Sequence, residues 1–278
     1  RTRVGGQDRV HLAFDSVEAK NMTIPAAGSP TAGNPGNVMT LLPQGADIEQ
    51  LRRQAKERLR VARAGDPEAL AWIARAGAGV RLTAAQLQLA RDHGFSSWAA
   101  LQHAIARRRL LDQHDLAALA DFVRRHPEAA SAGLERWRDH PNGASPLGYL
   151  AMARFDTRTR RWRDVPGAAA AARVLLAAGA PVDGPAGAAE TPLITAASYG
   201  DADVAAVLIA AGANLEAVAA PGSGGVPGGT ALLHAAVFGM TEVLDLLVAA
   251  GARIRSLEEA AAAGDATGWL ASERDAQT

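Results

Sequence analysis

The phrase Thr191-Pro192-Leu193-Ile194-Thr195-Ala196-Ala197-Ser198-Tyr199-Gly200 returns as Thr230-Ala231-Leu232-Leu233-His234-Ala235-Ala236-Val237-Phe238-Gly239. Each copy leads after 12 further residues to Gly-Ala, at Gly212-Ala213 and Gly251-Ala252. A repeated unit of two short helices cannot bury its apolar stripe alone, so neighbouring units must stack and share one continuous core. Such arrays usually serve recognition rather than chemistry.

The spacing is regular. From opening Thr to closing Gly is 21 residues in both copies, and Gly179 precedes Thr191 by 12, which makes a period of 33. Gly212 to Thr230 is 18 residues, six longer, and the glycine-rich stretch Pro221–Gly229 accounts for the difference. An earlier copy opens at Ser145-Pro146-Leu147 and closes at Gly179-Ala180; it spans 34 residues, so 13 extra residues separate its two helices, around Arg154 to Pro166. Each residue type has a physical role. Thr191 caps the first helix, and Pro192 fills the first turn, where no backbone donor is needed. Leu193, Ala196 and Ala197 share a face on which the small alanines let helices approach closely. Gly200 permits the left-handed turn that ends the helix. Val204, Val207 and Leu208 form the second helix's stripe, repeated by Val243, Leu246 and Leu247.

On these residues, segment 145–254 resembles ankyrin repeats. The resemblance implies an all-α solenoid of helix-turn-helix units, joined by outward hairpin loops and stacked with a concave binding face. It implies a non-catalytic scaffold or adaptor that binds a protein partner. The family's variable contact positions fall here on Met152, Glu190, Ser198, Tyr199, Gly229, Val237 and Phe238. Tyr199 and Phe238 lie next to helix ends, so packing between repeats is the competing role for both. The pattern departs in places. The family's His after Thr-Pro-Leu is replaced by Ile194 or Leu233, His234 comes one position late, and Ala231 stands in place of Pro. Leu257, Ala260, Ala261 and Gly264-Asp265 restart the pattern, which predicts a fourth, atypical copy, either a C-terminal cap or a truncated unit.

Upstream, Ile48, Leu51, Ala55, Leu59 and Ala62 are spaced for a helix over 47–64. Asp66-Pro67-Glu68 starts a second helix that stops near Gly77; Thr83 is expected to cap a third and Ser96 or Ser97 a fourth. Arg107-Arg108-Arg109 is expected to end that fourth helix and answer its dipole. Asp115–Arg125 reads as the second helix of a degenerate first repeat. The stretch Leu89–Trp98 resembles a leader found ahead of some bacterial ankyrin arrays. Residues 1–45, rich in Gly and Pro, are expected to be disordered, 46–110 to be a helical N-terminal cap, and 111–272 to be the array. Met39 is a plausible natural start, which makes residues 1–38 upstream sequence; a native protein whose mass places its start near Arg1 would refute this.

Composition narrows the function. The chain of 278 residues has formal net charge +0, which argues against a whole-chain nucleic-acid or anionic-membrane binder. It has no cysteine, which excludes disulfides, thiolate metal sites and a Cys nucleophile. No apolar run approaches the roughly 20 residues of a membrane span. An intracellular, cytoplasmic protein is expected, as a monomer. The glycine stretch 222–229 mimics a phosphate loop but lacks its Lys and a preceding strand. The seven histidines form no compact ligand motif; His93 and His103 converge only if their helices pack antiparallel. Glu258 and Glu259 read as part of a solvated helix face. No cofactor, metal or catalytic residue is therefore expected.

The insert Arg154-Phe155-Asp156-Thr157-Arg158-Thr159-Arg160-Arg161-Trp162-Arg163-Asp164 is the chain's most individual feature. Its arginines and Trp162 suit phosphate, RNA or an acidic partner. Alternatively, it is a solvated loop with Phe155 or Trp162 tucked onto the adjacent helix. Nucleic-acid or phosphate binding through Arg154, Arg158, Arg160, Arg161, Trp162 and Arg163 is thus the second reading. A third is that the chain is a fragment of a larger enzyme or signalling protein.

Overall fold

A computed structural model describes residues 40–43, 45–134, 137, 143–156 and 159–275. Four helices come first: α1 (Ile48–Arg63), α2 (Pro67–Ala74), α3 (Leu82–Asp92) and α4 (Trp98–Gln113). Their starts are set locally. The side chains of Asp47, Asp66 and Ser97 accept from the amides of Gln50, Ala69 and Ala100, each three residues on. Such a cap is worth about 1 kcal/mol. Leu51, Ala55, Leu59 and Ala62 form the buried stripe of α1. Thr83 does not cap α3. The helix opens at Leu82, because the Arg81 carbonyl already accepts from both Ala84 and Ala85.

Order begins before residue 46. Leu42 is 1% exposed and bridges to Trp137, while the Thr40 amide bonds the Asp92 carbonyl. The rest of the stretch expected to be disordered, 1–39 and Gln44, lies outside the described residues.

The fourth helix corrects a second expectation. It runs on to Gln113, and Arg107 and Arg108 are buried inside it rather than exposed at its end. Arg107 donates to the carbonyls of Ala132 and Gly133, at 3.0 and 2.9 Å. The Arg108 guanidinium lies over the rings of Trp137 and Tyr149, 4.8 and 4.4 Å from their centres, with Asp112 at 3.4 Å. A guanidinium is weakly hydrated and stacks on aromatic faces, so these rings and the carboxylate offset its removal from water.

The array follows. Helices α6 (Pro146–Ala151), α8 (Pro192–Tyr199), α10 (Ala231–Phe238) and α12 (Leu257–Ala262) pack in sequence as an inner row. Helices α5 (Leu116–Arg125), α7 (Ala168–Ala177), α9 (Ala202–Ala210) and α11 (Thr241–Ala249) form the outer row; α13 (Ala266–Asp275) follows α12. In α8, Leu193, Ile194, Ala196 and Ala197 are all buried, as are Leu232 and Ala235 in α10. A fully buried leucine contributes about 1.5–3 kcal/mol, and the alanines beside it let the next helix come close enough to cover it. Ser145, Thr191 and Thr230 cap the inner helices through the amides of Gly148, Ile194 and Leu233. Gly200 takes φ +62 at the end of α8, where a Cβ would lie 2.6 Å from Met240 Sδ.

The α12 helix, where the sequence restarts the pattern, is tied to α10 through Glu259. This residue is 1% exposed, not part of a solvated face. Its carboxylate accepts from the Ser256 amide in a capping box and from the Thr230 hydroxyl at 3.2 Å. One carboxylate therefore joins the starts of two successive inner helices.

The buried Asp201 caps α9 through the Val204 amide at 3.0 Å. Burial pushes its carboxyl pKa up, and the Val204 bond and Arg154 pull it back only in part. The folded-state value exceeds the unfolded one, so this group's contribution is complete below the ordinary value of 3.8 and fades as pH rises through the folded value. Asp201→Asn keeps an acceptor without the charge. In urea titrations from acid to neutral pH, this variant should gain stability relative to the wild type as pH rises, whereas Asp201→Ala should lose about 1 kcal/mol at neutral pH.

Candidate functional site

The 13-residue insertion folds as a small hairpin. After α6, β1 (Phe155–Asp156) pairs antiparallel with β2 (Arg161–Trp162), with Phe155 opposite Trp162 and Asp156 opposite Arg161. Asp156 organises the turn: its side chain accepts from the Thr159 amide and its carbonyl from the Arg160 amide. As directly opposed partners across the ladder, Phe155 and Trp162 project from one face. That face meets Tyr199 at the end of α8, in the following repeat. Ring centres are 5.2 Å apart for Phe155–Trp162, 6.4 Å for Phe155–Tyr199 and 6.1 Å for Trp162–Tyr199.

Arg154 clamps the same junction. Its guanidinium donates to the Gly200 carbonyl and lies 3.6 Å from Asp164. Arg163 Nε donates to the Ala153 carbonyl at 3.1 Å. Two arginines singled out as partner contacts are thus occupied in holding the hairpin. Arg160 is also engaged, at φ 55 in the turn; Arg161 is exposed; Arg158 lies outside the described residues. Both aromatics of the insert tuck against Tyr199, and Trp162 nevertheless stays 54% exposed. Burial raises the Tyr199 phenol pKa, with the Glu190 carboxylate adding to the rise, so the hydroxyl is neutral and can act as a donor.

The remaining candidates divide. Val237 and Phe238 are 54% and 38% exposed on the last turn of α10, the repeat equivalents of Ser198 and Tyr199. Met152, Glu190 and Ser198 are half-buried, and the Ser198 hydroxyl donates back to the Ile194 carbonyl. Gly229 is buried and offers no contact surface. A Cβ there would sit 3.0 Å from the Val226 carbonyl oxygen and 3.2 Å from the His234 ring.

His234 explains the glycine-rich stretch. Its ring is fully buried; Nδ1 lies 2.8 Å from the Thr230 carbonyl, and Nε2 accepts from the Val226 amide at 3.0 Å. Those two bonds require a neutral ring with its proton on Nδ1. At Gly225 a Cβ would lie 2.7 Å from Nε2, so the loop closes over the imidazole only because this position has no side chain. The glycines serve an elongated hairpin stitched by Ala219 and Gly229, and the helix they precede is a repeat helix. His93 and His103 do not converge. His93 Nδ1 contacts the Thr40 carbonyl at 2.7 Å, and His103 packs on His126 instead.

Arg154 as a clamp was missed in the sequence, and no local signal marks it, because its acceptor is 46 residues away.

Two rows of stacked helices with glycine-ended turns and Thr-type caps define a helical repeat solenoid. Residues 167–257 match the family model for ankyrin repeats, in 3 copies. This segment of the chain, from α7 to the start of α12, is thus built of ankyrin repeats. The matched span begins with α7 and leaves α6 outside, where the hairpin breaks the period. No curated protein matches the chain. Ankyrin repeats generally act as protein–protein interaction modules and are typically non-catalytic. Among the described residues, no helix is long and apolar enough to cross a membrane.

Replacing His234 tests the stitching. His234→Ala should destabilise the fold by about 1–3 kcal/mol, the cost of leaving a buried donor unpaired. Hydrogen exchange at the Val226 amide should accelerate, while the Ile194 amide in α8 keeps its protection.

Proposed function

We propose that this protein is a non-catalytic scaffold or adaptor that captures a protein partner along the foot of its inner helices. The contact surface consists of Trp162, Tyr199, Val237 and Phe238, with Glu190, Ser198 and Met152 at its edge. The observation that carries this reading is the exposure of Trp162, Val237 and Phe238 at 54%, 54% and 38%, directly beside fully buried helix turns. Large apolar side chains held in this way are the usual anchors of an interface. The hairpin is clamped before any partner arrives, so little ordering entropy is lost on binding. Segment 46–110 serves as the cap of an array over 111–272, a division supported by α4, whose residues enter both hydrophobic cores.

Nucleic-acid or phosphate binding through the insert has less support. Arg154 and Arg163 spend their donors on backbone carbonyls, and Asp156 and Asp164 lie within the same hairpin. A salt-dependent phosphate grip needs several free cations.

Capture from native lysate tests the choice. Trp162→Ala combined with Phe238→Ala should weaken retention of a specific partner by at least about tenfold, as loss of interface anchors does. Arg161→Gln should leave it within about twofold, as expected for a rim charge. Equal retention by all variants would reject this surface. Retention lost with Arg161 and with added salt, and released by nuclease, would move the function to the insert's charge.

A further inference from the structure

His103, on α4, and His126, at the C-terminal end of α5, meet at the surface with ring centres 4.5 Å apart and planes inclined by 55°. Phe122 lies beneath both, 6.3 Å from His103 and 5.0 Å from His126. His103 is exposed, and His126 Nδ1 lies 3.7 Å from Glu128 Oε1. We propose that His103 and His126 bind one divalent transition-metal ion of the zinc, nickel or copper class, clipping α4 to the end of α5.

The argument starts from ligand chemistry. Neutral imidazole is the commonest protein ligand for these ions, which prefer nitrogen donors to the all-oxygen shells of calcium and magnesium. Two imidazole nitrogens, each about 2.0–2.1 Å from one ion, keep their ring centres about 5 Å apart. The observed separation of 4.5 Å is close to that value, so rotation of the two side chains is the adjustment the ion asks for. Glu128 supplies the supporting contact. A ligating histidine commonly hands its second N–H to a carboxylate, which selects the tautomer and raises the basicity of the ligating nitrogen. Glu128, 3.7 Å from His126 Nδ1, stands at ion-pair distance and closes on that nitrogen when Nε2 takes the ion. Among the described residues, no group of three metal-ligating side chains forms here, so water completes the coordination.

The position gives the ion a role. One half of α4 lies in the N-terminal core, through Leu101, Ala104 and Ile105, and its end lies in the array core, through Leu111. The α5 helix is the first of the outer row. An ion held by both histidines binds the folded arrangement more tightly than the unfolded chain, so it stabilises this junction by mass action.

Zinc(II) titrated into the chelator-treated, full-length protein tests the assignment, with stoichiometry from calorimetry and ring resonances from NMR. The wild type should bind one ion more than His103→Ala or His126→Ala, and the ring signals of His103 and His126 should shift together. Glu128→Gln should weaken that ion by about tenfold, as loss of a supporting carboxylate does. Magnesium should leave the same signals unmoved. The proposal is overturned if the wild type and both histidine variants bind equal numbers of zinc ions with equal affinity, or if zinc leaves the two rings unperturbed in the wild type. The NMR readout on the wild type stands even if a variant misfolds.

Discussion

Close approach between successive inner helices is the constraint on which the rest of this structure depends. Ala196 and Ala197 in α8, and Ala235 in α10, are all fully buried in the seams of the row. A larger side chain there would push the helices apart and lose the contact of Leu193 and Leu232 with their neighbours. The long hydrophobes are thus useful only because the small ones lie beside them. The low aromatic content of 4% follows from the same geometry, since bulky rings do not fit such seams. The rings of the inner row are few: Tyr149 is buried under Arg108 in α6, and Tyr199 and Phe238 lie at the ends of α8 and α10.

A second requirement is that the array be joined to what precedes it. The α4 helix achieves this as one continuous rod shared by two cores. Its charged turn is internal: Arg107 reaches two carbonyls of the following loop, and Arg108 fills the space between Trp137 and Tyr149. Arginine suits this position because its flat face replaces an apolar side chain while its edge still finds acceptors. The Tyr149 hydroxyl donates to Asp112, the carboxylate that also faces Arg108, so the first inner helix is held by the same group.

What was legible in the sequence was local. The caps at Asp66, Ser97, Asp115, Ser145, Thr191 and Thr230 each act on an amide three residues ahead, and the period of 33 set the two rows. The misreadings share one cause. Arg107, Arg108, Glu259, Arg154 and Gly229 look like ordinary surface residues, because the atoms that give them a role come from elsewhere in the chain. Glu259 meets Thr230 across 29 residues and Arg154 meets Gly200 across 46. Charge alone reads as exposure; only the fold reveals that the charge is enclosed. The candidate surface shows the same division. Repeat position names Tyr199 and Phe238 as candidates, but it does not tell an arginine that holds a hairpin from one that faces solvent.

The clamp between Arg154 and Gly200 bears on how such a chain can change over generations. Repeat arrays lengthen and shorten when whole units are duplicated or lost, and most junctions tolerate this because every unit presents the same face to the next. Here the hairpin from one unit is fitted to Tyr199 and to the carbonyl ending the helix of its successor. Removing that successor would set the hairpin against Phe238 and Gly239 of a unit never shaped to receive it. Variation in copy number is therefore expected beyond this pair, while the pair itself is inherited as a single piece.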